Sequence, residues 1–174
     1  MPMDNLLSQK PITPHDREIL GLYASAVGHL YSLKKTEEEL GRERSLLHGL
    51  LENIPDDIYF KDIESRFVRV SKASAERSRL ADVTELIGKT DFDFYTPEHA
   101  RKALDDERRV IETGKPLVNI VEKETWPDGR EAWVSTTKVP FRDEKGHIVG
   151  TLGISRDISE WKRAEEALER RERL

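Results

Sequence analysis

The sequence predicts an α+β domain: an antiparallel sheet covered by helices on one face, flanked at both ends by charged helices. Three observations carry this. Residues 117–157 hold three alternating stretches separated by two turn signals, Pro127-Asp128-Gly129-Arg130 and Asp143-Glu144-Lys145-Gly146. Each turn pairs acidic residues with a glycine free to take positive φ, which closes a hairpin. Strand signals cluster near both ends of the domain with helical stretches between them, the pattern of segregated α+β layers. The last strand also runs without a linker into a charged helix, so movement in the sheet is expected to reach that helix.

Composition narrows the function classes. A chain of 174 residues supports one domain with extensions. Charged and apolar residues each make up 36%, so part of the chain is expected to be solvated helix rather than core. The net charge is −5 with both signs interspersed, which gives no basic face for nucleic acid. Cysteine is absent, excluding disulfides and thiolate chemistry and fitting a cytoplasmic setting. The start MPMDNLLSQK lacks the form of a signal peptide, and no apolar run reaches a membrane span.

The elements follow in order. Residues 1–13 lack periodicity and are expected to be disordered. Thr13 and Pro14 form a helix start, and helical composition continues to Asn53. Thr36-Glu37-Glu38-Glu39 is a second start signal inside this stretch, so one helix or two remain open, with a break near Lys35 preferred. Leu33, Leu40, Leu47 and Ile54 recur every seven residues as a partial coiled-coil seam. Residues 54–158 form the expected globular domain. Its strands are predicted at 58–61, 66–71, 117–126, 130–141 and 147–157. A helix from Pro97 to Thr113 is closed by Gly114 and Pro116 and places Ala100, Ala103, Leu104, Val110 and Ile111 on one face. Residues 159–174 form the exit helix. Its stop in mid-helix suggests a truncated chain.

These residues resemble the PAS family of sensory domains. Ile54-Pro55-Asp56-Asp57-Ile58-Tyr59-Phe60-Lys61-Asp62 resembles the first strand and its entry, and Gly88-Lys89-Thr90-Asp91-Phe92-Asp93-Phe94 the segment before the long helix. Trp126-Pro127-Asp128-Gly129 resembles the first turn of the meander, and Gly150 to Ser159 the last strand with its Asp-Ile-Thr exit signature, here ending in Ser. The resemblance implies a five-stranded antiparallel sheet, a cavity between sheet and helices, and dimerising helices that lead to an output domain such as a histidine kinase of a two-component system. It implies a signal-input module that binds a small ligand or a partner; the alternative is a ligand-free dimerisation or interaction module. The residues themselves hold no Gly-rich phosphate loop or nucleophile elbow, so any kinase or cyclase activity is expected outside this chain. The flavin branch needs a cysteine that is missing, and haem ligation has only His99 to offer, which reads better as a solvated helix-start residue.

Strand alternation then supplies ligand-pocket candidates. Ile58 and Phe60 share one face of their strand. Trp133, Ser135 and Thr137 share another, as do Leu152 and Ile154. Asp157, Ile158 and Trp161 sit where the last strand meets the exit helix and are the expected signal-coupling residues. Asp157 is expected to cap that helix or to pair with Arg156 or Arg130. No metal site is expected: the five histidines lack ligand spacing, and Asp91, Asp93 and Glu124 read as turn and surface acids.

Overall fold

A computed structural model describes residues 14–172. The expectations for residues 1–13, including the Thr13 start, and for Leu174 lie outside the described residues. The chain forms two compact units, Met1–Leu47 and His48–Leu174.

Helix α1 spans Pro14–Asn53 without the break expected near Lys35. The Thr36 hydroxyl does not cap a new helix. It donates to the Ser32 carbonyl at 3.0 Å, the i−4 bond that a helix interior offers. Glu37, Glu38, Glu39 and Leu40 are good helix formers and carry the helix through. Within the first unit the apolar side chains of Leu20, Tyr23, Val27, Leu30, Leu33 and Leu40 are exposed.

The second unit contains strands β1 (Asp57–Asp62) and β2 (Phe67–Val70), helices α2 (Lys72–Arg77) and α3 (Pro97–Thr113), strands β3 (Leu117–Thr125), β4 (Glu131–Arg142) and β5 (Ile148–Asp157), and helix α4 (Ser159–Glu172). The five strands form one antiparallel sheet in the order β2-β1-β5-β4-β3. The α+β architecture is the expected one. Strand β5 lies in its middle, paired with β1 on one side and β4 on the other.

Local chemistry sets the connections. Gly114 ends α3 in the left-handed conformation, φ 64°, and donates to the Val110 carbonyl at 2.9 Å. Gly129 and Gly146 take φ 85° and 86° in the two hairpin turns. The segment between α2 and α3 carries two short 3-10 turns. The first is closed by Asp82 accepting from the Thr84 amide at 2.7 Å and Glu85 accepting from the Asp82 amide at 3.1 Å. Tyr59, Phe67, Val70, Ala75 and Leu86 form the apolar core where β1 and β2 meet this segment.

Candidate functional site

Register determines what faces α3. Tyr59 pairs with Gly153, Lys61 with Thr151, and Asp57 with Ser155 across β1 and β5. Ser155 pairs with Thr136, and Gly153 with Lys138, across β5 and β4. These residues share one face. Two of its side chains reach α3: Lys61 Nζ donates to Glu107 Oε1 at 2.8 Å, and Lys138 Nζ donates to the Ala103 carbonyl at 3.1 Å.

The face turned to α3 is thus charged. Lys61, with only 1% of its side chain exposed, also pairs with Asp91. Glu107, with no exposure, accepts a second bond from Lys138 Nζ at 3.2 Å. Burial alone disfavours these charges. For Lys61 the neighbouring Asp91 and Glu107 outweigh burial and raise its pKa; for Glu107 burial is outweighed by Lys61 and Lys138, and its carboxyl is held low.

A small cavity lies between this face and α3. Asp57, Tyr59, Lys138, Ser155, Glu122 and Glu124 line it from the sheet. Asp91, Tyr95, His99 and Glu107 line it from α3 and the segment before it. Its volume is about 20 Å3, room for about one water molecule. Glu107 Oε2 is buried, and the Ser65 hydroxyl also helps to hold this carboxyl low.

Carboxylates respond to this setting differently. Burial raises Asp57, against a hydrogen bond from the Ser74 hydroxyl. Burial raises Glu124 to about 7, even though Arg77 Nε donates to it at 2.6 Å; Asp57 and Glu122 add to the rise. Glu122 is held low because Lys102, 2.7 Å away, outweighs its burial. Burial pushes His99 down, so the neutral imidazole is favoured.

Arg77 connects the cavity wall to the exit of the sheet. Its Nη1 lies 3.5 Å from Asp157 Oδ2. Asp157 Oδ1 accepts from the Ser159 amide at 2.8 Å, in the first turn of α4. The Ile158 amide donates to the Trp133 carbonyl at 2.8 Å, and the Trp133 amide to Ser159 Oγ at 2.9 Å. The start of α4 is thereby bonded to β4.

Several expectations need correction here. None of Ile58, Phe60, Trp133, Ser135, Thr137, Leu152 and Ile154 lines the cavity. They are brought together, but on the other face: Ile58 pairs with Ile154, Phe60 with Leu152, and Thr137 with Ile154. Apolar side chains are the expected lining beneath α3, whereas charged and hydroxyl side chains occupy that face. Asp157 pairs with Arg77; Arg156 instead reaches Asp56 at 2.7 Å, and Arg130 reaches Asp128 at 2.7 Å. Asp91 and Glu124 are buried, not surface acids, while Asp93 is exposed and accepts from the Thr90 amide at 2.8 Å. His99 is part-buried at the cavity rather than solvated. Trp161 is exposed, with Lys162 Nζ 5.0 Å from its ring. Sequence reasoning missed Lys61, Arg77, Glu107 and Lys138. Glu107 had a signal, since it falls four residues after Ala103 and three before Val110 on the buried stripe of α3.

Fold and site together define an α+β domain with a small interior cavity beneath a central exit strand. The family model of the PAS fold matches residues 51–163, and the chain belongs to that family. It is 29% identical over 157 residues to the methanogenesis regulatory histidine kinase FilI of Methanothrix harundinacea, a match covering 90% of this chain and 17% of that protein. It is 30% identical over 135 residues to the aerobic respiration control sensor protein ArcB of Escherichia coli, covering 76% of this chain and 17% of that protein. Among solved structures, VqmA of Vibrio cholerae in complex with ligand and DNA is 33% identical with a TM-score of 0.58, over 63% of this chain and 49% of that one. The chain spans about a sixth of the length of these curated relatives. It is a sensory signalling module. Among the described residues, no helix is long and apolar enough to cross a membrane.

Proposed function

We propose that this module is the input part of a larger signalling protein, and that it reports the charge state and occupancy of its interior cavity through α4 to an output domain such as a histidine kinase. The observation that carries this reading is the position of Arg77. One guanidinium holds Glu124 in the cavity wall and approaches Asp157 at the root of α4. A change at Glu124 redistributes Arg77 between two carboxylates, and only a difference in that distribution between two states of α4 can move the equilibrium. The histidine kinase relatives support the choice of output, and the ligand complex of VqmA supports a small molecule as input.

Hydrogen exchange tests the relay. In Arg77→Gln the amides of Ser159 to Lys162 should exchange faster, while those of the β4–β5 ladder keep their protection. Unchanged exchange at the root of α4 would remove Arg77 from the relay.

A second reading is a ligand-free dimerisation module. The apolar side chains along α1 and the half-exposed Ile154 and Phe141 of the outer sheet face favour it, with a second copy of this chain as the partner. Sedimentation separates the two: this reading requires a dimer whose dissociation follows substitution of Leu30 and Leu33 by Glu, and a monomer at 100 μM ends it.

A further inference from the structure

One guanidinium stands between a buried carboxylate and an exposed one. Arg77 Nε holds Glu124, whose side chain is 5% exposed, at 2.6 Å, while Nη1 stands 3.5 Å from Asp157, whose side chain is 53% exposed. The second contact is too long for a good hydrogen bond. Arg77 Nη2 is buried and has no acceptor among the described residues. Arg77 thus holds Glu124 through one N–H and keeps donors in reserve. Its guanidinium carbon also lies 5.7 Å from the centre of the Trp126 ring, a contact that neither carboxylate controls.

We infer that the proton itself is a signal read at this joint: its uptake by Glu124 hands Arg77 to Asp157 and secures the root of α4. This rests on the reading of Arg77 as the relay and names what moves it. Ionised Glu124 competes with Asp157 for one cation. Neutral Glu124 still accepts a hydrogen bond but no longer attracts Arg77 by its charge, and the bond loses about half its strength. Asp157 keeps its charge, because the Ser159 amide and hydroxyl and Arg77 outweigh its burial. A shift of about 0.7 Å by Arg77 brings the 3.5 Å contact to the length of a charged hydrogen bond, and Nη2 gives the pair its second donor. Asp157 already accepts from the Ser159 amide, so a firmer Asp157 carboxylate fixes the first turn of α4.

The groups around Glu124 leave it as the one that titrates. Burial raises it most, Arg77 of α2 lowers it, and Asp57 of β1 and Glu122 of its own strand raise it, to about 7. It is neutral below that pH and charged above it. Tyr95, before α3, is raised by burial and stays neutral. Burial is outweighed at Glu122 by Lys102, and at Glu107 of α3 by Lys61 and Lys138, so both carboxyls stay charged. Asp91 pairs with Lys61, and burial pushes His99 of α3 below 6.5. Asp57 is raised by burial too, but its hydrogen bond comes from the Ser74 hydroxyl and not from Arg77.

Hydrogen exchange of the intact chain as a function of pH tests the inference, each rate being divided by that of an unstructured peptide at the same pH. The β4–β5 ladder serves as the internal reference for global stability. Protection of the amides of Ser159 to Lys162, relative to that ladder, should rise roughly threefold as pH falls from 8.5 to 5.5, the range expected of a partly exposed ion pair. The midpoint should lie near 7. Glu124→Gln, which is neutral at every pH, should show the low-pH protection throughout. Asp157→Asn should abolish the step, and it decides the matter if Glu124→Gln does not fold. A flat profile in the parent chain overturns the inference. A step that persists in Glu124→Gln or in Asp157→Asn overturns it too, because another group then titrates or another acceptor takes Arg77. Faster exchange in Arg77→Gln beside a flat parent profile leaves the relay standing and removes the proton as its input. Unchanged exchange in Arg77→Gln removes both.

Discussion

Arg77 Nε donates to Glu124 Oε2 at 2.6 Å, and this bond ties the short covering helix α2 to the inner face of the edge strand β3. The pair is unequal. Arg77 is stabilised as a cation, since Glu124 outweighs its burial, yet Glu124 is still raised to about 7. Burial of the carboxylate, together with Asp57 and Glu122, is stronger than the attraction of one guanidinium shared with Asp157. A group balanced in this way changes charge in the pH range of a cell interior, and it does so next to the residue that leads to α4.

The raised pKa of Glu124 has a signed consequence for stability. Unfolded, this carboxyl ionises near 4.5; folded, near 7. Between those values the folded chain keeps a proton that the unfolded chain has lost, so stability from this group is complete below pH 4.5 and is lost as pH rises through 7. The full effect is about 3 kcal/mol, from a shift of about 2.5 pKa units at 1.36 kcal/mol each. Urea denaturation of Glu124→Gln should show a flatter profile between pH 5 and 8 than the parent chain. Two parallel profiles would mean that Glu124 ionises normally.

Glycine at position 153 is required by an aromatic ring. A Cβ built there lies 2.1 Å from Cε2 and Cζ of Tyr59, its directly opposite partner on β1. Tyr59 cannot swing away freely, because it is buried and meets Phe67 edge-on at 6.0 Å. Gly153→Ala should therefore destabilise the domain by about 1–3 kcal/mol, the usual effect of overpacking. Gly49→Ala is the contrast: its Cβ meets nothing within 4 Å in α1, and better helix propensity should stabilise by about 0.5–1 kcal/mol. Denaturant midpoints for the two variants moving in the same direction would contradict this assignment.

The root of α4 offers a local test. Asp157 Oδ1 accepts from the Ser159 amide, and its carboxyl is held low because that bond, the Ser159 hydroxyl and Arg77 outweigh burial. Asp157→Ala should cost about 0.5–2 kcal/mol, the range for losing a helix-start acceptor. In a fusion of the chain to a histidine kinase, the loss of signal response should exceed what that destabilisation explains. A response equal to the parent's, in a fusion that remains folded, would show that α4 is driven by other contacts.

The elements were legible because their signals are local. Alternation in 131–142 and 148–157, Gly129 and Gly146 in the turns, and Gly114 after α3 each act within a few residues. The site was not legible for the opposite reason. Lys61 is 30 residues from Asp91 and 46 from Glu107, and Arg77 is 47 from Glu124. Alternation correctly divided each strand into two faces but could not say which one turns inward. Apolar character pointed to Ile58 and Phe60, since an isolated lysine is not expected inside. Lys61 is buried only because distant carboxylates meet it there. Glu107 alone broke a local pattern, a charge inside the stripe of Ala100, Ala103 and Val110.

The lysine–carboxylate cluster also separates structural dependence from net stabilisation. Lys61 bonds Asp91 and Glu107, and Lys138 bonds Glu107, all with side chains at most 10% exposed. Removing one member of such a cluster leaves partners buried without compensation. Lys61→Met should therefore destabilise by about 3–5 kcal/mol. Adding Glu107→Gln to Lys61→Met removes one stranded charge, so the double variant should be less damaged than the two single effects combined, with a coupling of about 1–3 kcal/mol. Lys138 sharpens the expectation. It still holds Glu107 when Lys61 is gone, so the stranded group in Lys61→Met is chiefly Asp91, and Asp91→Asn should restore more stability than Glu107→Gln. Equilibrium urea curves for the single and double variants measure both couplings. Strict additivity would show that the cluster does not act as a unit, and a larger rescue by Glu107→Gln would show that Lys138 does not carry Glu107 alone.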